Sequence, residues 1–239
     1  QNPFDSSERR LTELTCADRC VRYSDTPHGR SMGDDRAVTD CSNDLKALRD
    51  GLLMRRRALS FRDVALNSSL VVERLRGLPE LVGATNIGAY VGVRGEIDPS
   101  ELLTGLDEKQ IALPITTPGE PLRFMIPDGE LVDGPFGIRQ PHRGLEVSPR
   151  DLDVVLVPLV AVDVQGNRIG HGGGYYDRTF SGVVRRHSSV SESEERKCQA
   201  PVPLLIGLCH EFQVVSAIDP RPWDVPLHLV VTEVGLVRP

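Results

Sequence analysis

The stretch Asp153–Arg178, DVVLVPLVAVDVQGNRIGHGGGYYDR, decides how this chain is read. Its first half, Val154–Val162 (VVLVPLVAV), is a continuous apolar run, the pattern of a strand covered on both faces of a parallel sheet. That strand is expected to run out through Asp163 into a turn at Gln165-Gly166-Asn167. Glycines follow at 170, 172, 173 and 174, and a helix is expected to begin near Tyr175. Stripping side chains from such a segment lets backbone N–H groups approach an anion, and the N-terminus of the next helix adds a partial positive charge. Tight turns alone are the plainer reading, but four glycines in five positions exceed what a turn requires. No Gly-Lys-Ser/Thr follows, so the segment is not a Walker loop. Tyr175 stands where the last glycine of a GxGxxG fingerprint belongs, so it is not a complete dinucleotide motif either. The expectation is an anion-binding loop outside the carboxyl end of a sheet strand, where ligands of open α/β sheets bind.

Upstream, Leu45, Leu48, Leu52 and Leu59 recur at helical spacing while Arg49, Arg55, Arg56 and Arg57 crowd the other faces. Ser60 and Asp63 form a capping box that opens a second helix through Leu66, Leu70 and Leu75. Asn86–Val93 reads as a buried strand, and Asp98-Pro99 as the cap and first position of a further helix. Ile111–Ile115 and Leu122–Ile126 read as strands, Asp133–Gly144 as loop. Downstream, Leu204–Cys209 and Leu229–Val231 complete the strands, after a Ser/Glu-rich insertion at 188–199. Strands alternating with helices predict one three-layer α/β/α domain with a mostly parallel central sheet, Rossmann-like, over residues 43–239. Residues 1–42, polar and without period, are expected to be a poorly ordered extension.

Composition narrows the function classes. The 239 residues carry a formal net charge of −6, which argues against a general nucleic-acid binder but not against a local basic pocket for a small anion. No apolar run approaches the roughly 20 residues of a membrane span. The stretch QNPFDSSERRLTEL lacks the basic-then-apolar pattern of a signal peptide, so a cytoplasmic protein is expected. The five cysteines, at 16, 20, 41, 198 and 209, are odd in number and scattered, against a disulfide framework. Cys16 and Cys20 could share a helix face, but no second ligand pair accompanies them.

GNRIGHGGGYYDR, preceded by VLVPLVAVD, resembles the signature of the 5-formyltetrahydrofolate cyclo-ligase (5,10-methenyltetrahydrofolate synthetase) family. Other segments extend the resemblance in order: LKALRDGLLMRRRALS, NIGAYVGVRGEIDPSELL, GPFGIRQP, LIGLCHEFQ and WDVPLHLVVTEVGL, across roughly residues 44–236. It implies a sheet like that of sugar-phosphate isomerases and coenzyme A transferases. It also implies a reaction in which ATP and 5-formyltetrahydrofolate give 5,10-methenyltetrahydrofolate, ADP and phosphate. The formyl oxygen attacks the γ-phosphate, N10 closes the ring, and phosphate leaves. Such chemistry needs phosphate donors, a Mg²⁺ ion and alignment of the reacting atoms. The family is expected to act as a monomer, with no nucleic-acid or membrane partner.

By resemblance, Arg168, Ile169, Gly170, His171, Gly172, Gly173, Gly174, Tyr175 and Tyr176 form the ATP cradle, with Lys46 and Arg49 of the first helix as further phosphate cations. Arg168, Tyr175 and Arg178 are the residues expected in the chemistry. Asp177 and Asp224 are the expected Mg²⁺ ligands, oxygen donors being right for a hard ion. Asp177 also fits the plain role of an acidic residue in a helix's first turn, and Asp224 that of a loop residue. Glu96, Val91 and Tyr175 match the folate side, a carboxylate accepting from pterin N–H groups; on spacing alone Glu96 is a solvated turn residue. His171 is expected to be a solvated loop histidine rather than a base.

Two positions depart from the family's pattern. Leu45 stands where a lysine precedes the helix arginine by four residues, and Lys46 is one position along, rotated by about 100°. His228 replaces the second acid of the carboxyl-terminal Asp-Val-Pro motif. These departures keep open a divergent, non-catalytic folate- or nucleotide-binding member. An isomerase- or transferase-type activity on the similar sheet is a third reading, since fold does not fix function.

Overall fold

A computed structural model describes residues 35–103, 108–184 and 203–239. Residues 1–34, including Cys16 and Cys20, and the 188–199 insertion lie outside the described residues. The chain divides into two compact units, residues 1–40 and 41–239. Of the first unit only residues 35–40 are described, as the opening turns of a helix.

That helix, α1, spans Asp35–Arg57. Leu45, Leu48 and Leu52 put its apolar stripe against Ala161, Ile169 and Ile218, with Arg56 buried on the same side. α2, Phe61–Arg76, starts as its capping chemistry predicts: the Ser60 hydroxyl accepts from the Asp63 N–H, and Gly77 ends the helix. α3 (Pro79–Gly83) leads into β1, Asn86–Gly88. The strand expected to reach Val93 stops at Gly88 because the chain then turns back through Arg94 and Gly95, both at positive φ. α4 begins at Ser100, and Asp98 caps it by accepting from the Ser100 N–H.

Strands β2 (Gln110–Ile115), β3 (Arg123–Pro127), β6 (Gly144–Val147), β7 (Val154–Pro158), β10 (Leu204–Leu208), β12 (Leu229–Val231) and β13 (Leu236–Val237) join β1 in one sheet ordered β13-β12-β10-β7-β1-β2-β3-β6. Neighbours from β12 through β2 run parallel, while β13, β3 and β6 add antiparallel edges. The region expected as plain loop after Asp133 holds a small hairpin, β4 (Val132–Asp133) with β5 (Arg139–Gln140).

The long apolar run does not stay in one strand. β7 ends at Pro158, which has no N–H for the ladder. After two buried residues β8, Ala161–Asp163, begins a second sheet with β9 (Arg168–Ile169) and β11 (Val214–Val215). Apolarity recorded burial on both sides of Pro158, and burial does not distinguish one sheet from two. On one face of the main sheet Val71, Val72 and Leu75 of α2 pack against Ile87, Leu156 and Ile206. On the other, Phe180 of α5, Tyr175–Val184, packs with Phe124, Val155 and Val157. Helices thus cover both faces, giving the three layers predicted.

The parallel strands follow the chain order 2-1-3-4-5 across the sheet, so connections leave β1 and β7 in opposite directions. A crevice opens outside the carboxyl ends of adjacent strands at such a switch point. The Tyr90–Asp98 turn follows β1 there, and the glycine loop, reached from β7 through β8 and β9, lines the same cavity.

Candidate functional site

One cavity of about 390 Å³ lies at this switch point. The glycine loop is held from beneath by Asp163, a carboxylate 1% exposed. It accepts from the N–H groups of Gln165, Asn167 and Ile218 and from the Asn167 amide. Such a set fixes the β8–β9 turn, because a buried anion with four donors cannot shift without leaving one unmet. Gly172 and Gly174 adopt φ of 97° and 63°, which side chains disfavour. A Cβ at Gly173 would lie 2.6 Å from the Tyr175 ring. At Gly170 a Cβ would meet nothing within 4 Å and no positive φ is required, so turn geometry does not account for that glycine. It borders the cavity instead.

The opposite wall is the Tyr90–Asp98 turn. Tyr90 donates from its hydroxyl to the Ile97 carbonyl at 2.7 Å, and Gly95 presents its carbonyl to His210 Nε2 at 2.9 Å. A carbonyl only accepts, so His210 carries its proton on Nε2 while Nδ1 accepts from Asn67. This bracing presents Glu96, 7% exposed, to the cavity. Its Oε2 accepts from the Val93 N–H at 3.1 Å and its Oε1 lies 3.5 Å from Arg56 Nη2. Burial raises the Glu96 pKa above the usual carboxylate value, against the opposing pull of Arg56. Far from the expected solvated alternative, the carboxylate is enclosed.

The cavity brings together Val91, Glu96, Arg168, Gly170, His171, Gly173, Gly174, Tyr175, Tyr176 and Asp177. Arg168 and Asp177 pair directly, Nη2 to Oδ1 at 2.7 Å, and Arg168 also donates to the Val225 carbonyl. Asp177 Oδ1 accepts from the Val225 N–H as well, placing the loop beside Asp224. The Asp224 carboxylate itself accepts from the Arg221 N–H and is not part of the lining. Among the described residues no group of three or more His, Cys, Asp or Glu side chains is placed to hold a metal by itself.

Other expected residues lie around the rim or beneath it. Arg49 donates from Nε to the Gly170 carbonyl at 3.0 Å, so it grips the loop backbone. Arg178 folds back on the Gly173 carbonyl and over the Tyr175 ring. Ile169 is buried in the apolar cluster with Leu45. Gly172 is exposed outside the lining, and Lys46 is exposed on α1. His171 is 43% exposed on its side chain. It is no plain solvated histidine: Nε2 lies 2.9 Å from Arg56 Nη2, and burial together with Arg56 lowers its pKa to about 4.

Spacing alone missed three contributors. Arg56, one of three consecutive arginines, is 2% exposed. Phe136 sits edge-on to Tyr175 at 6.4 Å between ring centres, and Arg94 donates to the Phe136 carbonyl. Arg56 carried a usable signal, falling seven residues after Arg49 and four after Leu52, on the packed face of α1. Phe136 lies in the GPFGIRQP segment, which marks the family but not a contact to Tyr175.

Residues 41–233 match the 5-formyltetrahydrofolate cyclo-ligase family. The chain belongs to that family. The cyclo-ligase of Escherichia coli is 31% identical over 186 residues, covering 74% of this chain and 94% of that protein. That of Haemophilus influenzae is 34% identical over 66% of this chain and 80% of its own. The solved 5,10-methenyltetrahydrofolate synthetase of Aquifex aeolicus superposes with a TM-score of 0.66 at 31% identity, covering 81% of this chain and 92% of that one. The synthetase from Mycoplasma pneumoniae, at 22% identity and a TM-score of 0.57 over 80% and 99% of the two chains, shares the fold. The glycine loop and the Glu96 turn are two walls of one cavity within the matched region. No helix among the described residues is long and apolar enough to cross a membrane.

Proposed function

We propose that this cyclo-ligase family member closes the ring of 5-formyltetrahydrofolate to give 5,10-methenyltetrahydrofolate, consuming ATP and releasing ADP and phosphate. One observation carries the reading: a single cavity has a glycine loop and helix N-terminus on one wall and a buried carboxylate on the other. The loop N–H groups and the start of α5 receive the phosphates. Arg49 orients the loop through Gly170. Glu96 accepts from the pterin's amino and ring N–H groups, for which an enclosed anion is a strong acceptor. Val91 supplies apolar contact and Tyr175, with Phe136 at its edge, an aromatic wall. The formyl oxygen then attacks the γ-phosphorus and ADP departs; N10 attacks the activated carbon, gives up its proton to solvent, and phosphate leaves with the former formyl oxygen.

Asp177 and Asp224 fit a Mg²⁺ ion bound jointly with ATP. Both are oxygen donors, Asp177 lines the cavity, and its Oδ1 contacts the residue following Asp224. Two carboxylates without a third match an ion that completes its shell with phosphate and water. That ion would neutralise charge developing on the phosphate oxygens. Arg168, bonded to Asp177, then holds the carboxylate in place and supplies fixed positive charge.

The direct test follows methenyltetrahydrofolate absorbance with purified chain, 5-formyltetrahydrofolate, ATP and Mg²⁺. Turnover dependent on ATP and on the metal is expected; well-folded protein without turnover would sink the reading. A second reading, binding without catalysis, has one observation in its favour. Leu45 packs into the apolar cluster below the loop, so the lysine of the family's pattern is replaced by a side chain with no charge to offer. Calorimetric binding of both ligands with no product would decide for it.

A further inference from the structure

Arg56 ties the two walls of the cavity together with one guanidinium. From α1 its Nη2 reaches Glu96 Oε1 at 3.5 Å and His171 Nε2 at 2.9 Å, while Nη1 donates to the Leu159 carbonyl at 3.2 Å. Glu96 belongs to the folate-side turn and His171 to the glycine loop; sequence separations of 40 and 115 residues converge on one nitrogen. The chemistry of the shorter contact is restrictive. A guanidinium only donates and stays protonated, so His171 Nε2 must be an acceptor. The neutral ring therefore carries its proton on Nδ1. The alternative, Nε2–H donating to Glu96, fails on distance, since that pair is 3.7 Å apart, and it would set the Nε2–H against the Arg56 Nη2 donor at 2.9 Å.

We propose that Arg56 is a positioning residue that fixes Glu96 and holds His171 as its Nδ1–H tautomer, so that occupancy of one wall alters affinity at the other. This rests on the reading of the cavity as a joint folate and ATP site. A ligand that hydrogen-bonds Glu96 competes with Arg56 for the carboxylate, and the same Nη2 then redistributes toward His171 in the glycine loop. An anion in the loop acts in reverse, since coupling between two ligands is reciprocal. His171 then offers the nucleotide side a neutral N–H donor rather than a lone pair.

Two measurements on the wild-type chain decide it, and a variant identifies the agent. ¹⁵N–¹H correlation spectra of histidine-labelled protein, with His171 assigned through His171→Gln, are expected to show the Nδ1–H tautomer. An Nε2–H ring, or an averaged mixture, overturns the proposal. Calorimetry with a non-hydrolysable ATP analogue is expected to show affinity changed about tenfold by saturating 5-formyltetrahydrofolate; independent binding overturns it. In Arg56→Met the tautomer preference and the coupling should vanish together, and retention of either overturns the assignment to Arg56. Should that variant not fold, Arg56→Lys, which keeps the charge but loses the planar fork, is expected to weaken both. If the chain binds neither ligand, the proposed function has failed, while the tautomer still decides whether the clamp exists.

Discussion

Glu96 and His171 face one another across Arg56 and respond to pH in opposite ways. Burial raises the Glu96 pKa, so this carboxylate protonates at a higher pH than an exposed one. Its role as acceptor for the pterin requires the anion. The KM for 5-formyltetrahydrofolate is therefore expected to rise as pH falls toward that elevated value, with kcat changing less, and Glu96→Gln should flatten this limb of the profile. At neutral pH the same variant is expected to raise the folate KM about ten- to hundredfold, the equivalent of about 1.5–3 kcal/mol for a hydrogen bond to a charged group. His171 has its folded pKa lowered from 6.5 to about 4. Between those values the unfolded chain binds the extra proton, so stability falls as pH drops through this window. Urea midpoints measured from pH 7 to 4.5 should decline less steeply in His171→Gln than in the parent. A slope unchanged by the substitution would remove His171 as the cause. Glu96 contributes the reverse sign, its native form taking up a proton before the unfolded one, so Glu96→Gln should steepen the decline.

Among the elements, α1 links apolar packing to the site. Leu45, Leu48 and Leu52 anchor it on Ile169 and its neighbours, while Arg49 and Arg56 project from adjacent positions to Gly170, Glu96 and His171. A helix rotates by about 100° per residue, and the leucine stripe fixes which side is inward, which leaves Lys46 exposed. Restoring the family residue by Leu45→Lys is expected to lower stability by roughly 1 kcal/mol, since a half-buried leucine surrenders part of its burial energy. It should also leave the ATP KM within about twofold, because the stem packs where the leucine did and the charge snorkels outward. A several-fold drop in that KM would show that the ammonium reaches the phosphates after all. The first turn of α2 was legible from Ser60 and Asp63 because capping is local chemistry. The division of Val154–Val162 into β7 and β8 was not, since the break depends on which partners Leu159 and Val160 meet: Gln213 donates to both carbonyls.

Across the whole molecule, the Glu96 turn follows β1 of the main sheet and the glycine loop follows β9 of the second, and both are braced from remote segments, His210 behind the Glu96 turn and Ile218 behind Asp163. Ligands that bind this cavity bind only the folded chain. A non-hydrolysable ATP analogue and 5-formyltetrahydrofolate at about 100 times their Kd should each add about 2.7 kcal/mol. For a domain of this size that raises the Tm by roughly 5–10 °C, checked by calorimetric or fluorescence melting. Their joint effect should depart from the sum, as coupling through Arg56 requires. Strict additivity would count against that coupling and leave binding itself intact.

The sequence by itself determined the α/β class, the caps of α2 and α4, the glycine loop and, through resemblance, the family. Each depends on local chemistry or on a contiguous pattern: a capping side chain, an apolar run, glycines crowded where side chains cannot stand. The tertiary structure alone decided that Glu96 is enclosed rather than solvated and that Arg168 and Asp177 pair. It alone decided that one arginine among three consecutive ones joins both walls. The Arg56 contacts span 40 and 115 positions, and the electrostatic environment of a charged group is set by what folds against it. The glycine loop was thus readable as an anion cradle, while the identity of its opposite wall came from the sheet order that placed β1 beside β7.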